Sequence, residues 1–264
     1  MTATANSLVQ IHGKTPVFHR LTHTVMVLML ALLAHASAGD TNSAPRNQLR
    51  AHAQEVFVTR QKNYDTEPTN NVAAWQFARA AFDRGEFATN DTERAALAVQ
   101  GIAACRKILE RAPKCAPASY YLGLNLGQLA RTKLLGALPL VSEMEGGFKT
   151  ARQLDENFDY AGPDRFLGQL YFQAPGWPAS VGSQSKARKH LERAAELAPD
   201  YPENRLNLAE ASLKWRDKKL TQRELEALEK LWPVAKTNFA GADWAAAWDD
   251  WQPRYDKLHE PARR

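Results

Sequence analysis

The pattern of apolar and polar positions repeats along the middle of the chain. "CRKILERAPKCAPASYYLG", "FKTARQLDENFDYAGPDRFLG" and "LERAAELAPDYPENRLNLAE" align without gaps when Pro113, Glu156 and Pro199 are superposed, 43 residues apart each time. Eight residues before these anchors stand Cys105, Phe148 and Leu191, and five before stand Ile108, Ala151 and Ala194. Positions three apart share one face of a helix, so both columns predict a buried stripe. Two residues after the anchors come Cys115, Phe158 and Tyr201, placed to fold back over that stripe. Pro117, Pro163 and Pro202 then suit the first turn of a following helix, where a missing N–H costs little. Each unit therefore reads as helix, tight turn, helix, which makes the fold all-α.

The same pattern extends outward. "NQLRAHAQEVFVTRQ" and "NNVAAWQFARAAFDRGEF" predict helices before the repeats, and "QRELEALEKLWPVAK" and "DWAAAWDDWQPRYDKLHE" predict helices after them. In the last, Trp244, Trp248, Trp251, Tyr255 and Leu258 recur at intervals of four and three, an apolar stripe suited to covering the exposed end of a stacked array. Pro253 is expected to bend that helix. An aromatic ligand cage is the alternative reading of the stripe.

"ARKHLERAAELAPDYPENRLNLAEASL" resembles the tetratricopeptide family, with Ala187, Leu191, Ala194, Pro199, Tyr201 and Leu208 on its pattern positions. The resemblance implies an α-solenoid of stacked helix pairs. That family repeats about every 34 residues, so the longer period needs extra residues. "LLGALPLVSEMEGG" (134–147) and "QAPGWPASVGSQS" (173–185) are expected as two loops at equivalent joints, on one side of the array. The resulting organisation is 1–38 export signal, 39–90 N-terminal helices, 91–217 tetratricopeptide-like repeats, and 218–264 C-terminal capping helices with a frayed tail.

Composition agrees with helix, since alanine is abundant and valine and isoleucine are scarce. The export signal rests on basic and polar residues up to Arg20, an apolar run from Val25 to Ala34, and small residues at Ala36 and Ala38. That run is shorter than the roughly 20 residues a membrane span needs. No cysteine follows it to carry a lipid, so the expected location is the periplasm, without a lipid anchor. Of 34 basic residues, Lys14 and Arg20 leave with the signal, so 32 face 29 acidic ones. This near balance argues against a nucleic-acid partner.

Catalytic signatures are lacking in the sequence. After the signal the histidines are His52, His190 and His259, far apart and in no metal-ligand spacing. No nucleophile-elbow, phosphate-loop or dinucleotide-binding motif occurs, so neither an enzyme nor a cofactor or metal site is expected. Cys105 and Cys115 face one turn. They are read either as two small core residues or as a disulfide, which an exported protein permits.

One stretch goes beyond a generic repeat. Gly162-Pro163-Asp164-Arg165, the Ala174–Pro178 loop, Gly182-Ser183 and Pro202-Glu203-Asn204-Arg205 occur in order over residues 95–215. This set resembles the T-component family of tripartite ATP-independent periplasmic (TRAP) transporters. The resemblance implies a non-enzymatic helical protein that associates with a periplasmic solute-binding protein, forms homo-oligomers, and shelters a small apolar or organic-acid (anionic) ligand. The candidate contact residues are Trp177 on the loop, Asp164 and Arg165 beside it, and Asn204 and Arg205 at the corresponding helix start one unit on. For the charged ones, intramolecular pairing is the competing reading. An exported scaffold for envelope assembly is the alternative function.

Overall fold

The computed structural model describes residues 44–133 and 136–260. The export signal, Leu134-Leu135 and the 261–264 tail lie outside the described residues. Within them the chain is all-α, with ten helices. In order these are α1 (Ala44–Thr66), α2 (Asn71–Glu86), α3 (Asp91–Arg111), α4 (Ala116–Arg131), α5 (Ala137–Leu154), α6 (Phe158–Gln173), α7 (Gln184–Leu197), α8 (Pro202–Lys214), α9 (Lys218–Asn238) and α10 (Ala242–His259).

Consecutive helices pack from α1 through to α9, and a second set of contacts links α2 to α4, α4 to α6, α6 to α8 and α8 to α10. This is a helical-repeat solenoid of five pairs, in which the second helix of each pair packs on the next. The repeat columns fill its interior. Cys105, Phe148 and Leu191, and Ile108, Ala151 and Ala194, are all buried. Each such side chain contributes up to about 2–3 kcal/mol by leaving water, least for the alanines. Polar caps start several helices: Asn70 accepts from the N–H groups of Val72 and Ala73, Asn90 from Glu93, Ser183 from Lys186, and Asp217 from Leu220.

The longer period arises mainly from longer helices. Residues 137–147, expected as loop, form the first half of α5. Val141, Met144, Phe148 and Ala151 make a buried stripe at three- and four-residue spacing, and this outweighs the Gly146-Gly147 pair. Gly147 sits where helices α4 and α5 approach closely: a Cβ there would come within 2.8 Å of the Ser119 carbonyl oxygen. The start-to-start spacing is 46 residues from α3 to α5 and 47 from α5 to α7, but 34 from α7 to α9. The α7–α8 pair is thus the one of tetratricopeptide length.

The C-terminal stripe does cap the array. Trp251 is buried against Tyr201 and Phe239, and Trp248 and Tyr255 pack on Trp232 of α9. Pro233 and Pro253 both lie inside continuous helices. The two ends of the array also meet. Arg46 of α1 reaches Asp249 of α10 at 3.7 Å, and His52 reaches Asp243 at 3.7 Å. Contacts therefore run in a circuit, α1–α2–α4–α6–α8–α10 and back to α1, which closes the solenoid into a ring.

Candidate functional site

The Gly-Pro-Asp-Arg and Pro-Glu-Asn-Arg motifs lock neighbouring repeats together. Helix α6 opens with Asp159, Tyr160 and Ala161 at φ values of 52°, 56° and 61°, three successive non-glycine residues in left-handed conformation. Such backbone is strained and persists only where its surroundings hold it. Here Arg165, only 2% exposed, donates from Nη1 to the Asp159 and Tyr160 carbonyls, both at 3.0 Å. Its Nη2 donates to Asp159 Oδ2 at 2.8 Å and to the Tyr120 hydroxyl at 3.3 Å. Asn204 of α8 adds a second donor to the Tyr160 carbonyl at 3.0 Å and holds the Ala194 and Ala198 carbonyls at the end of α7. Glu203 Oε2 lies 3.5 Å from Arg165 Nε. Gly162 is required beside this turn, since a Cβ would come within 2.8 Å of the Tyr120 ring.

The other motif residues are internal as well. Asp164 is fully buried, accepts twice from Arg152 Nε (2.9 and 2.8 Å), and meets His190 Nδ1 at 2.6 Å. Arg205 donates to the Pro199 carbonyl at 3.1 Å and to Glu224 at 3.0 Å. Asp164, Arg165, Asn204 and Arg205 are thus committed to helix packing, and neither arginine offers a free fork to a ligand carboxylate.

Trp177 differs from them. It is 89% exposed, the most exposed of the large apolar side chains among the described residues. The chain beneath it is tied down. Gly182 N–H donates to the Pro175 carbonyl at 2.9 Å, Ser183 N–H to the Tyr171 carbonyl at 2.9 Å, and Ala179 N–H to the Gly176 carbonyl at 3.0 Å. The Trp177–Pro178 peptide is cis. A defined loop therefore holds an indole out in solvent. Cys105, buried in α3, and Cys115, at the start of α4, are both free thiols, so the bridge the sequence permits is not formed in this structure. Burial, with some help from Cys115, raises the Cys105 thiol pKa well above the usual range.

A further group of residues, not marked by the sequence motifs, is coupled electrostatically across α2, α6 and α8. Arg79 and Asp83 of α2 form a half-exposed i,i+4 pair at 3.5 Å. Asp83 nevertheless titrates at about 6, pushed up first by desolvation and then by the Asp159 and Glu86 carboxylates, against the pull of Arg79. Glu203 is likewise raised, first by burial and then by Asp250 and Asp159, against Arg165 and Arg254. Asp159 thus lies within electrostatic reach of both α2 and α8. Beside it, Tyr160 is 43% exposed; one face stacks on Tyr201 at 4.6 Å, with Phe239 and Trp244 at its edge. The only sequence signal for this group was the Arg79/Asp83 spacing on the predicted helix at 70–87, and its coupling to Asp159 of α6 appears only in the folded chain.

No protein-family profile matches the chain, and no curated protein matches it.

Proposed function

We propose that this protein is a non-enzymatic, exported helical-repeat adaptor, acting as an accessory (T) component of a TRAP-type solute transporter and binding a periplasmic solute-binding protein. The observation that carries the reading is the Trp177 loop. A large aromatic held out on a tied-down loop matches the residue type and preorganisation that dominate protein interfaces, because little entropy is lost when it docks. The ordered motifs that suggest this family also have joint physical roles: one builds the loop after α6, and two lock neighbouring repeats at the opposite end of that helix. Solenoids commonly use such excursions from one side of the stack to bind partners.

The test is capture from periplasmic extract with tagged protein, followed by crosslinking and mass spectrometry. A solute-binding protein crosslinked near residues 173–185 supports the reading. Trp177→Ala is expected to weaken that capture by about 2 kcal/mol or more while leaving the helical circular dichroism unchanged. Recovery of envelope-assembly proteins alone favours the exported-scaffold alternative, and unchanged capture removes the loop from the interface.

A further inference from the structure

Helices α3 and α5 each pack on α4, and between the three lies an open groove of about 280 Å³. Val99, Ile102 and Ala103 line it from one face of α3, Leu126 and Leu129 from α4, and Leu140 from α5. Arg106, one helical turn beyond Ile102 and Ala103, also lines it. Its Nη2 donates to both oxygens of Glu143, three residues beyond Leu140, at 2.8 and 3.1 Å. The apolar groove thus carries a single ion pair one helical turn along both of its facing helices. That pair is only partly used. Nη1 and Nε of Arg106 have no hydrogen-bond partner among the described residues, and each Glu143 oxygen keeps a free lone pair.

The apolar lining is not demanded by the fold. The corresponding groove one pair on, between α5 and α7, is about 390 Å³ and is lined by charged side chains, among them Arg152, Asp164, Arg188, Lys189 and Glu192. The α3–α5 groove instead leaves Val99 52% exposed and sets an exposed alanine, Ala103, where a longer side chain would fill the space. Open apolar surface beside one convergent pair of charges is what a small amphiphilic ligand matches.

We propose that this groove binds a free α-amino acid with a large aliphatic side chain. Its carboxylate takes the Nη1–Nε edge of Arg106 as a bidentate pair. Its ammonium donates to Glu143, and its side chain covers Leu126, Leu129 and Val99. A zwitterion is complementary to both charges at once, whereas a simple carboxylate is repelled by Glu143 and a simple amine by Arg106. The site goes beyond the transport reading and does not depend on it, because it uses neither Trp177 nor the ordered motifs.

The probe is L-leucine, titrated into the full chain by ligand-observed NMR and calorimetry. N-acetyl-leucine lacks the ammonium, 3-methylbutylamine lacks the carboxylate, and glycine lacks the side chain. L-leucine is expected to bind saturably, and each comparator at least tenfold more weakly. Arg106→Gln and Glu143→Gln are each expected to weaken leucine at least tenfold, and Ala103→Leu to fill the groove and remove binding. Ala103 and Arg106 are exposed and Glu143 is half exposed, so circular dichroism and thermal midpoint should show the variants folded. Absence of saturable leucine binding, or binding indifferent to the three substitutions, overturns the site. Equal affinity for N-acetyl-leucine or 3-methylbutylamine overturns the zwitterion. Capture of a solute-binding partner without leucine binding sinks this inference and leaves the proposed function standing; leucine binding without such a partner does the reverse.

Discussion

Asp83 carries a pH dependence whose sign is fixed by its surroundings. Its folded-state pKa of about 6 lies above the usual carboxylate value, because desolvation and the Asp159 and Glu86 charges disfavour ionisation. The protonated form is the one the fold prefers. Its stabilising contribution is therefore fully present below about pH 4 and lost as pH rises through 6. Asp83→Asn should then stabilise the protein at pH 7.5 relative to wild type and have no such effect at pH 4. Two pKa units correspond to ~2.7 kcal/mol, but half of the side chain is solvated, so about 1 kcal/mol is the expected gain. Chemical denaturation at the two pH values checks this; a destabilised variant at pH 7.5 would mean that the pair with Arg79 dominates. The residues of the Gly-Pro-Asp-Arg and Pro-Glu-Asn-Arg motifs were legible as special, and intramolecular pairing was among the readings the sequence left open. What the sequence could not show was their common purpose, since Arg165 and Asn204 meet on a left-handed turn that no local pattern encodes.

Helix placement was readable where apolar spacing was unbroken. The two columns before the anchors stand as a buried stripe, Pro117 and Pro202 open their helices, and the aromatic stripe of α10 packs on α9 with Trp251 buried. The misjudged element was the start of α5, where the residues in excess of the tetratricopeptide length were assigned to a loop although Gly146 and Gly147 sit within a helix. Glycine is a poor helix former in isolation, yet it lets two helix backbones approach, and that approach is a property of the pair α4/α5. Gly147→Ala is accordingly expected to destabilise the fold by about 2 kcal/mol, even though alanine raises intrinsic helix propensity. Gly146→Ala is the control: a Cβ there meets nothing within 4 Å, so that substitution should be neutral or slightly stabilising. Thermal unfolding of the two variants separates the cases. Equal midpoints would show that α4 and α5 can move apart at no cost.

Closure of the ring is a property of the whole array. It depends on the small rotation between successive helix pairs, summed over five of them, and so leaves no trace in any single segment. The contact between its ends is slight. Arg46–Asp249 and His52–Asp243 are solvent-exposed pairs at 3.7 Å, and such pairs are worth about 1 kcal/mol or less each and weaken with salt. Reversing both charges on α10, with Asp243→Lys and Asp249→Lys, is expected to increase the radius of gyration in small-angle scattering at low ionic strength with helical content unchanged. An unchanged radius would assign closure to the packing of the repeats themselves.

Open helical arrays stretch and recoil like springs, because each unit yields a little and nothing joins the two ends. A hoop does not. Tension applied across α1 and α10 has to part the clasp before any repeat can flex, so the first event in a pulling trace should be a small, salt-sensitive rupture. The compliance typical of a solenoid should follow only after that rupture.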